Sequence, residues 1–163
     1  MAIRRQIEVG GFGCIPRGQA RRLEKIGKIE LTYIDIGVEF PFKEGGQVYG
    51  TLTGSLEVGD LRGALNATNL ARQRPDDQFT PALRGILKTP EGEYAYFTMD
   101  GLSILDAAAK PPRRIVTTTL TLWSVDPRLK PWNDVLLLTE MVGGKTGKGR
   151  GVHGSVYRYI PEG

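Results

Sequence analysis

The chain has 163 residues, 40% hydrophobic and 25% charged, a composition that suits one globular domain with its own core. One cysteine and one histidine exclude an internal disulfide and a Cys/His zinc site, and no run reaches the roughly 18 apolar residues of a membrane-spanning helix. The net charge of +4 sits at the ends: residues 1–28 carry seven basic and two acidic side chains, residues 143–163 four basic and one acidic.

The opening segment MAIRRQIEVGG is charged and lacks the apolar stretch of a signal peptide, so a cytoplasmic protein is expected. Residues 3–9 read as a short strand, and 19–26 (QARRLEKI) as two helical turns. From Lys28 the pattern sharpens. Ile34, Ile36, Val38 and Phe40 alternate with Leu31, Tyr33, Asp35, Gly37 and Glu39, the period of a strand with one oily and one mixed face. Residues 47–58 form the next strand, in which Gly50 and Gly54 mark bends of the kind that let a sheet close on itself.

Residues 61–70 stay open between helix and strand: Ala and Leu tolerate a helix, whereas Gly63, Asn66, Thr68 and Asn69 do not favour one. A charged loop, 72–78, precedes a strand at 82–89. Thr89-Pro90-Glu91-Gly92 is a tight-turn sequence leading to its partner at 93–100. Asp100-Gly101 signals a second turn, with a further strand from 102–105. Three strand-like runs close the chain at 114–125, 135–142 and 152–160, separated by Pro- or Gly-bearing loops. Eight to ten short strands without a secure helix predict an all-β fold: a closed antiparallel barrel, in which no long Val/Thr/Leu edge is left exposed. The whole chain, 1–163, reads as a single barrel domain, with 1–28 the least defined segment.

Gly54–Gly63 (GSLEVGDLRG), Arg74-Pro75-Asp76, Leu83–Leu87, the Thr89–Gly92 turn, Asp126-Pro127-Arg128, Trp132-Asn133 and Val156-Tyr157 occur in an order that resembles a bacterial family of β-barrels catalogued as a domain of unknown function. The likeness spans about residues 47–160. It implies a calycin-like barrel and brings no settled activity with it.

The candidate chemistry is acid–base. His153 is the one side chain whose ordinary pKa lies near neutrality, and it shares a strand face with Ser155, Tyr157 and Tyr159. It lines a cavity or stands open to solvent beside the GKTGKGRG loop. Glu140 is set among Leu136, Leu137, Leu138, Met141 and Val142; that neighbourhood suggests an inward carboxylate within reach of a tyrosine or His153. Glu39 is the third catalytic candidate. Tyr33, Tyr94, Tyr96, Trp123, Trp132 and Tyr157 are candidate ligand contacts, either around a polar lumen or on a solvent face.

Residues 143–151 contain glycines and lysines but not the order of a P-loop, so a basic hairpin loop is expected there. The leading expectation is a small organic ligand, bound or turned over by a cofactor-free lyase, isomerase or cyclase, with no metal. A nucleic-acid-binding barrel using the basic N-terminal segment and residues 145–150 is the alternative, and a structural oligomer the third. The threonine-rich strand at 114–125 suggests a homodimer or larger assembly.

Overall fold

The computed structural model describes residues 22–42, 45–146 and 149–160; the expected strand at 3–9 and Cys14 lie outside them. Nine strands are described: β1 Arg22–Phe42, β2 Gly45–Val58, β3 Leu61–Gln73, β4 Phe79–Thr80, β5 Ala82–Lys88, β6 Tyr94–Asp106, β7 Arg113–Trp123, β8 Leu137–Thr146 and β9 Gly149–Ile160. A five-residue 3-10 helix, Lys130–Asp134, lies between β7 and β8. Every strand pairs antiparallel with its neighbours, and β1 pairs with both β2 and β9. The hydrogen bonds therefore run β1-β2-β3-β5-β6-β7-β8-β9 and back to β1, an eight-stranded up-and-down barrel; the two-residue β4 bridges β3 and β6 at one end.

Alternation builds the core. In β7, Val116, Thr118, Leu120 and Leu122 are buried, whereas Thr117, Thr119, Thr121 and Trp123 are exposed. In β8, Leu137, Thr139 and Met141 point inward. Thr118 and Thr139, paired across β7 and β8, satisfy their hydroxyls in one 2.7 Å hydrogen bond inside the barrel. Closure depends on close approach between strands. A Cβ at Gly54 would overlap the Glu30 carbonyl oxygen, and one at Gly154 the Glu140 carbonyl oxygen.

The barrel has two unlike ends. At the closed end Leu56, Val58, Leu61, Leu87, Ala95, Phe97, Leu122 and Leu137 pack together over Leu129 and half-buried Trp132. Asn133 closes that end like a clasp: its Oδ1 accepts from the Ser124 N–H and its Nδ2 donates to the Ser124 carbonyl, both at 2.9 Å. Ser124 Oγ donates to the Tyr94 carbonyl at 2.6 Å, and Arg128 Nη1 meets Glu93 Oε1 at 2.7 Å. The Asp126–Arg128 and Trp132-Asn133 motifs are thus the plug of the barrel.

Several expectations need correction. Residues 22–26 belong to β1 and not to a helix; 61–70, left open between helix and strand, is strand. Residues 102–105 continue β6 past Gly101. In β1, Leu31 is fully buried and Tyr33 faces in, while Ile34 is 67% exposed; the side chains of Ile36, Val38 and Phe40 lie outside the described residues. A register shift against β2 between Tyr33 and Asp35 inserts one residue, and a single insertion exchanges the faces of a strand. The Thr89–Gly92 turn forms as expected, with Gly92 N–H donating to the Thr89 carbonyl at 3.0 Å. The basic segment is a hairpin that pairs Thr146 with Gly149.

Candidate functional site

The end opposite the plug carries a half-open cavity of about 320 Å³. Its floor is the upper layer of the core, Leu31, Leu52, Leu83, Val116 and Met141. Its rim comes from that end of the barrel: Phe79 and Pro81 around β4, Pro112 and Arg113 at the start of β7, and Gly144, Arg150 and Gly151 at the β8–β9 hairpin. This volume lies at the small end of the range for ligand pockets, and the wall is mostly apolar with a few polar groups, as such pockets are.

Tyr33 and Asn69 supply one polar group. Asn69 is 5% exposed, and its side chain is fixed by two partners. The Ala82 N–H donates to Oδ1 at 3.1 Å, which turns Nδ2 toward the Tyr33 hydroxyl at 2.9 Å. The tyrosine oxygen accepts there and keeps its own O–H to donate. Gly50 makes room for the ring: a Cβ at that position would lie 2.7 Å from Tyr33 Cε1. Buried Ser103 adds a second hydroxyl to the wall.

Arg114 supplies the charge. It continues the inward series of β7, stacks over the Phe79 ring at 4.5 Å from the centroid, and donates through Nη2 to the Asp77 carbonyl at 3.0 Å. Its Nη1 is buried without a hydrogen-bond partner. Burial lowers its pKa, nearby Arg150 lowers it further, and Asp77 opposes both. An arginine so placed keeps its charge at neutral pH.

Of the candidates whose side chains are described, the cavity takes in Tyr33 alone. Glu140 is a correction: it is exposed, and among the described residues no side-chain hydrogen bond or ion pair joins it. The inward positions of β8 are Leu137, Thr139 and Met141. The apolar neighbours that suggested a shielded carboxylate include Leu136, Leu138 and Val142, which share the outer face with it. His153 is also exposed on the outer face, opposite Val142 and Glu30.

Tyr94, Tyr96 and Trp123 are 52%, 45% and 59% exposed on the outside of β6 and β7. Tyr157 is half-buried, next in β9 to the fully buried, inward-facing Val156. Trp132 belongs to the plug at the other end, where its ring lies under Gly59. The side chain of Glu39 lies outside the described residues. Sequence reading missed Asn69, Ser103, Arg114 and Arg150 as site residues. A polar or charged residue at an inward position of an otherwise apolar alternation, as Arg114 is before Val116, Thr118 and Leu120, was the available signal.

An antiparallel eight-stranded barrel, plugged at one end and hollow at the other, is the class of protein these features define. No family model and no curated protein matches the sequence. Solved structures are similar in fold. A protein of unknown function from Rhodopseudomonas palustris has a TM-score of 0.74 at 11% identity, covering 87% of this chain and 99% of its own. A β-barrel-like protein from Acinetobacter baumannii AYE has a TM-score of 0.69 at 14% identity, covering 90% of this chain and 100% of its own. An enzyme from Penicillium herquei has a TM-score of 0.63 at 14% identity with the same coverage. At such identities the likeness is one of fold.

Proposed function

We propose that the protein is a calycin-like barrel that binds a small, largely apolar organic molecule in the cavity at its open end. The observation that carries this reading is the cavity itself, about 320 Å³ with an apolar floor and few polar groups. A core that only stabilised the fold would be filled at both ends as it is at the plug. Binding is favoured over acid–base turnover. Among the described residues of its wall there is no carboxylate and no imidazole to act as a base. The Tyr33 hydroxyl and the Arg114 guanidinium are donors, suited to orienting a carbonyl or an oxyanion. The existence of an enzyme with this fold supports keeping a cofactor-free reaction as the extension of the reading, with these two donors as its machinery.

The test is a thermal-shift screen of small aromatic and aliphatic compounds against the wild type and Ala71→Phe, which fills the cavity from its β3 wall. A ligand present at about 100 times its Kd stabilises by about 2.7 kcal/mol, so hits are readily seen. Hits that raise the wild-type Tm and leave Ala71→Phe unmoved are expected. Hits that shift both proteins equally would place binding elsewhere and overturn the proposal.

A further inference from the structure

We infer that the cavity takes an amphipathic monoanion, a small apolar body ending in a carboxylate, with the carboxylate held by Arg114 and assisted by Arg150. The inference rests on the reading of the cavity as a ligand site and specifies its occupant.

Two guanidinium groups line this one cavity, together with a third, Arg113, which is already engaged with Asp106 at 3.4 Å. No carboxylate lies within ion-pair distance of Arg114 or Arg150 among the described residues. Other arginines of the barrel do have one: Arg74 with Asp76, Arg84 with Asp100 and Arg128 with Glu93. The first two pairs lie on the surface, where water would serve as well, and in the third the arginine is exposed. Arg114, by contrast, is half-buried at an inward position, where an uncompensated charge costs more than it does on the surface. Asp77 offsets it only in part: its charge favours the guanidinium without an ion pair, its backbone carbonyl is what Arg114 grips, and its Oδ1 accepts from Gln73.

The Arg114 guanidinium is also part-built for a ligand. The Phe79 ring fixes its plane, and the Asp77 carbonyl occupies Nη2. Nη1 is left closed off and unbonded. Rotation of the rigid guanidinium toward a carboxylate exchanges the single Nη2 bond to the Asp77 carbonyl for paired bonds to the ligand and gives Nη1 a partner. The mutual repulsion of Arg114 and Arg150, which helps depress the Arg114 pKa, would be relieved by an anion beside them. Guanidinium suits a planar carboxylate through paired N–H donors. The floor of Leu31, Leu52, Leu83, Val116 and Met141 has no counterpart for a second charge, so the rest of the ligand is apolar.

The experiment compares 4-phenylbutyrate with 4-phenylbutan-1-ol, which has the same body and no charge, by calorimetric titration. The wild type is expected to bind the acid about tenfold more tightly than the alcohol, with the preference shrinking as salt rises. Arg114→Gln is expected to abolish the preference without changing alcohol affinity. Arg114 also braces the 77–79 segment, so Arg150→Gln serves as the second variant; this exposed residue should lose part of the preference with an unchanged Tm. Inorganic phosphate should not displace the acid; displacement at equal concentration would mean a plain anion site and overturn the amphiphile. Equal binding of acid and alcohol, lost for both in Ala71→Phe, would overturn the anion and leave the cavity reading standing. Binding of neither compound at millimolar concentration would sink both.

Discussion

Asn69 is the residue on which the polar side of the cavity turns. It is buried, it fixes the Tyr33 hydroxyl from β3, and it accepts the Ala82 N–H at the start of β5. Asn69→Ala leaves both groups without that partner, so a loss of about 1–3 kcal/mol is expected in urea unfolding. Asn69→Asp keeps the acceptor for Ala82 but adds a charge to a buried site, and should fare no better. At this scale the sequence was legible where alternation was undisturbed and misleading elsewhere. Tyr33 was named as a ligand contact, though alternation alone left open whether it faced the lumen or solvent. Glu140 was misread because the rule that an apolar run is shielded on both faces fails on a barrel whose outer face carries Leu136, 46% exposed. Arg114 was hidden by position: it stands at the very beginning of β7, where a basic residue looks like a strand end.

Among the elements, the strand glycines are the sharpest test of how the barrel closes. Gly144 and Gly154 stand on adjacent strands, and only one is confined. Nothing lies within 4 Å of a Cβ built at Gly144, whereas one at Gly154 runs into the backbone of β8. Gly154→Ala is expected to cost about 2 kcal/mol or more, because a backbone carbonyl cannot move aside as a side chain can. Gly144→Ala should stay within about 0.5 kcal/mol of the wild type in the same denaturation measurement. Gly54 was legible in the sequence as such a device, since a glycine inside a strand pattern has few other uses. The strand type of β3 was not legible, because Leu61–Gln73 has helix-tolerant composition and becomes strand through its pairing with both β2 and β5. The faces of β1 were not legible either, because a register shift is a property of two strands together.

Across the whole molecule, one end is packed solid and the other is hollow, so stability and the proposed binding are separable. Phe97 is fully buried at the plugged end, and Phe97→Ala should cost about 3–5 kcal/mol while leaving ligand affinity unchanged in whatever fraction remains folded. The Asn133–Ser124 clasp and the Thr89–Gly92 turn fall in this stabilising half. This explains why they spoke to fold and were silent on ligand. Among the described residues no group of three or more His, Cys, Asp or Glu side chains is placed to hold a metal, and no helix is long and apolar enough to cross a membrane.

The central claim, that the open end is a ligand site, is tested most directly by an NMR titration of isotope-labelled protein with 4-phenylbutyrate. The account predicts saturable shifts concentrated at Tyr33, Asn69, Ser103, Arg114, Val116 and Met141, with Leu56, Phe97 and Leu122 at the plugged end left unmoved. Shifts confined to the outer face around Tyr96 and Trp123, or no saturable shifts at all, would contradict it.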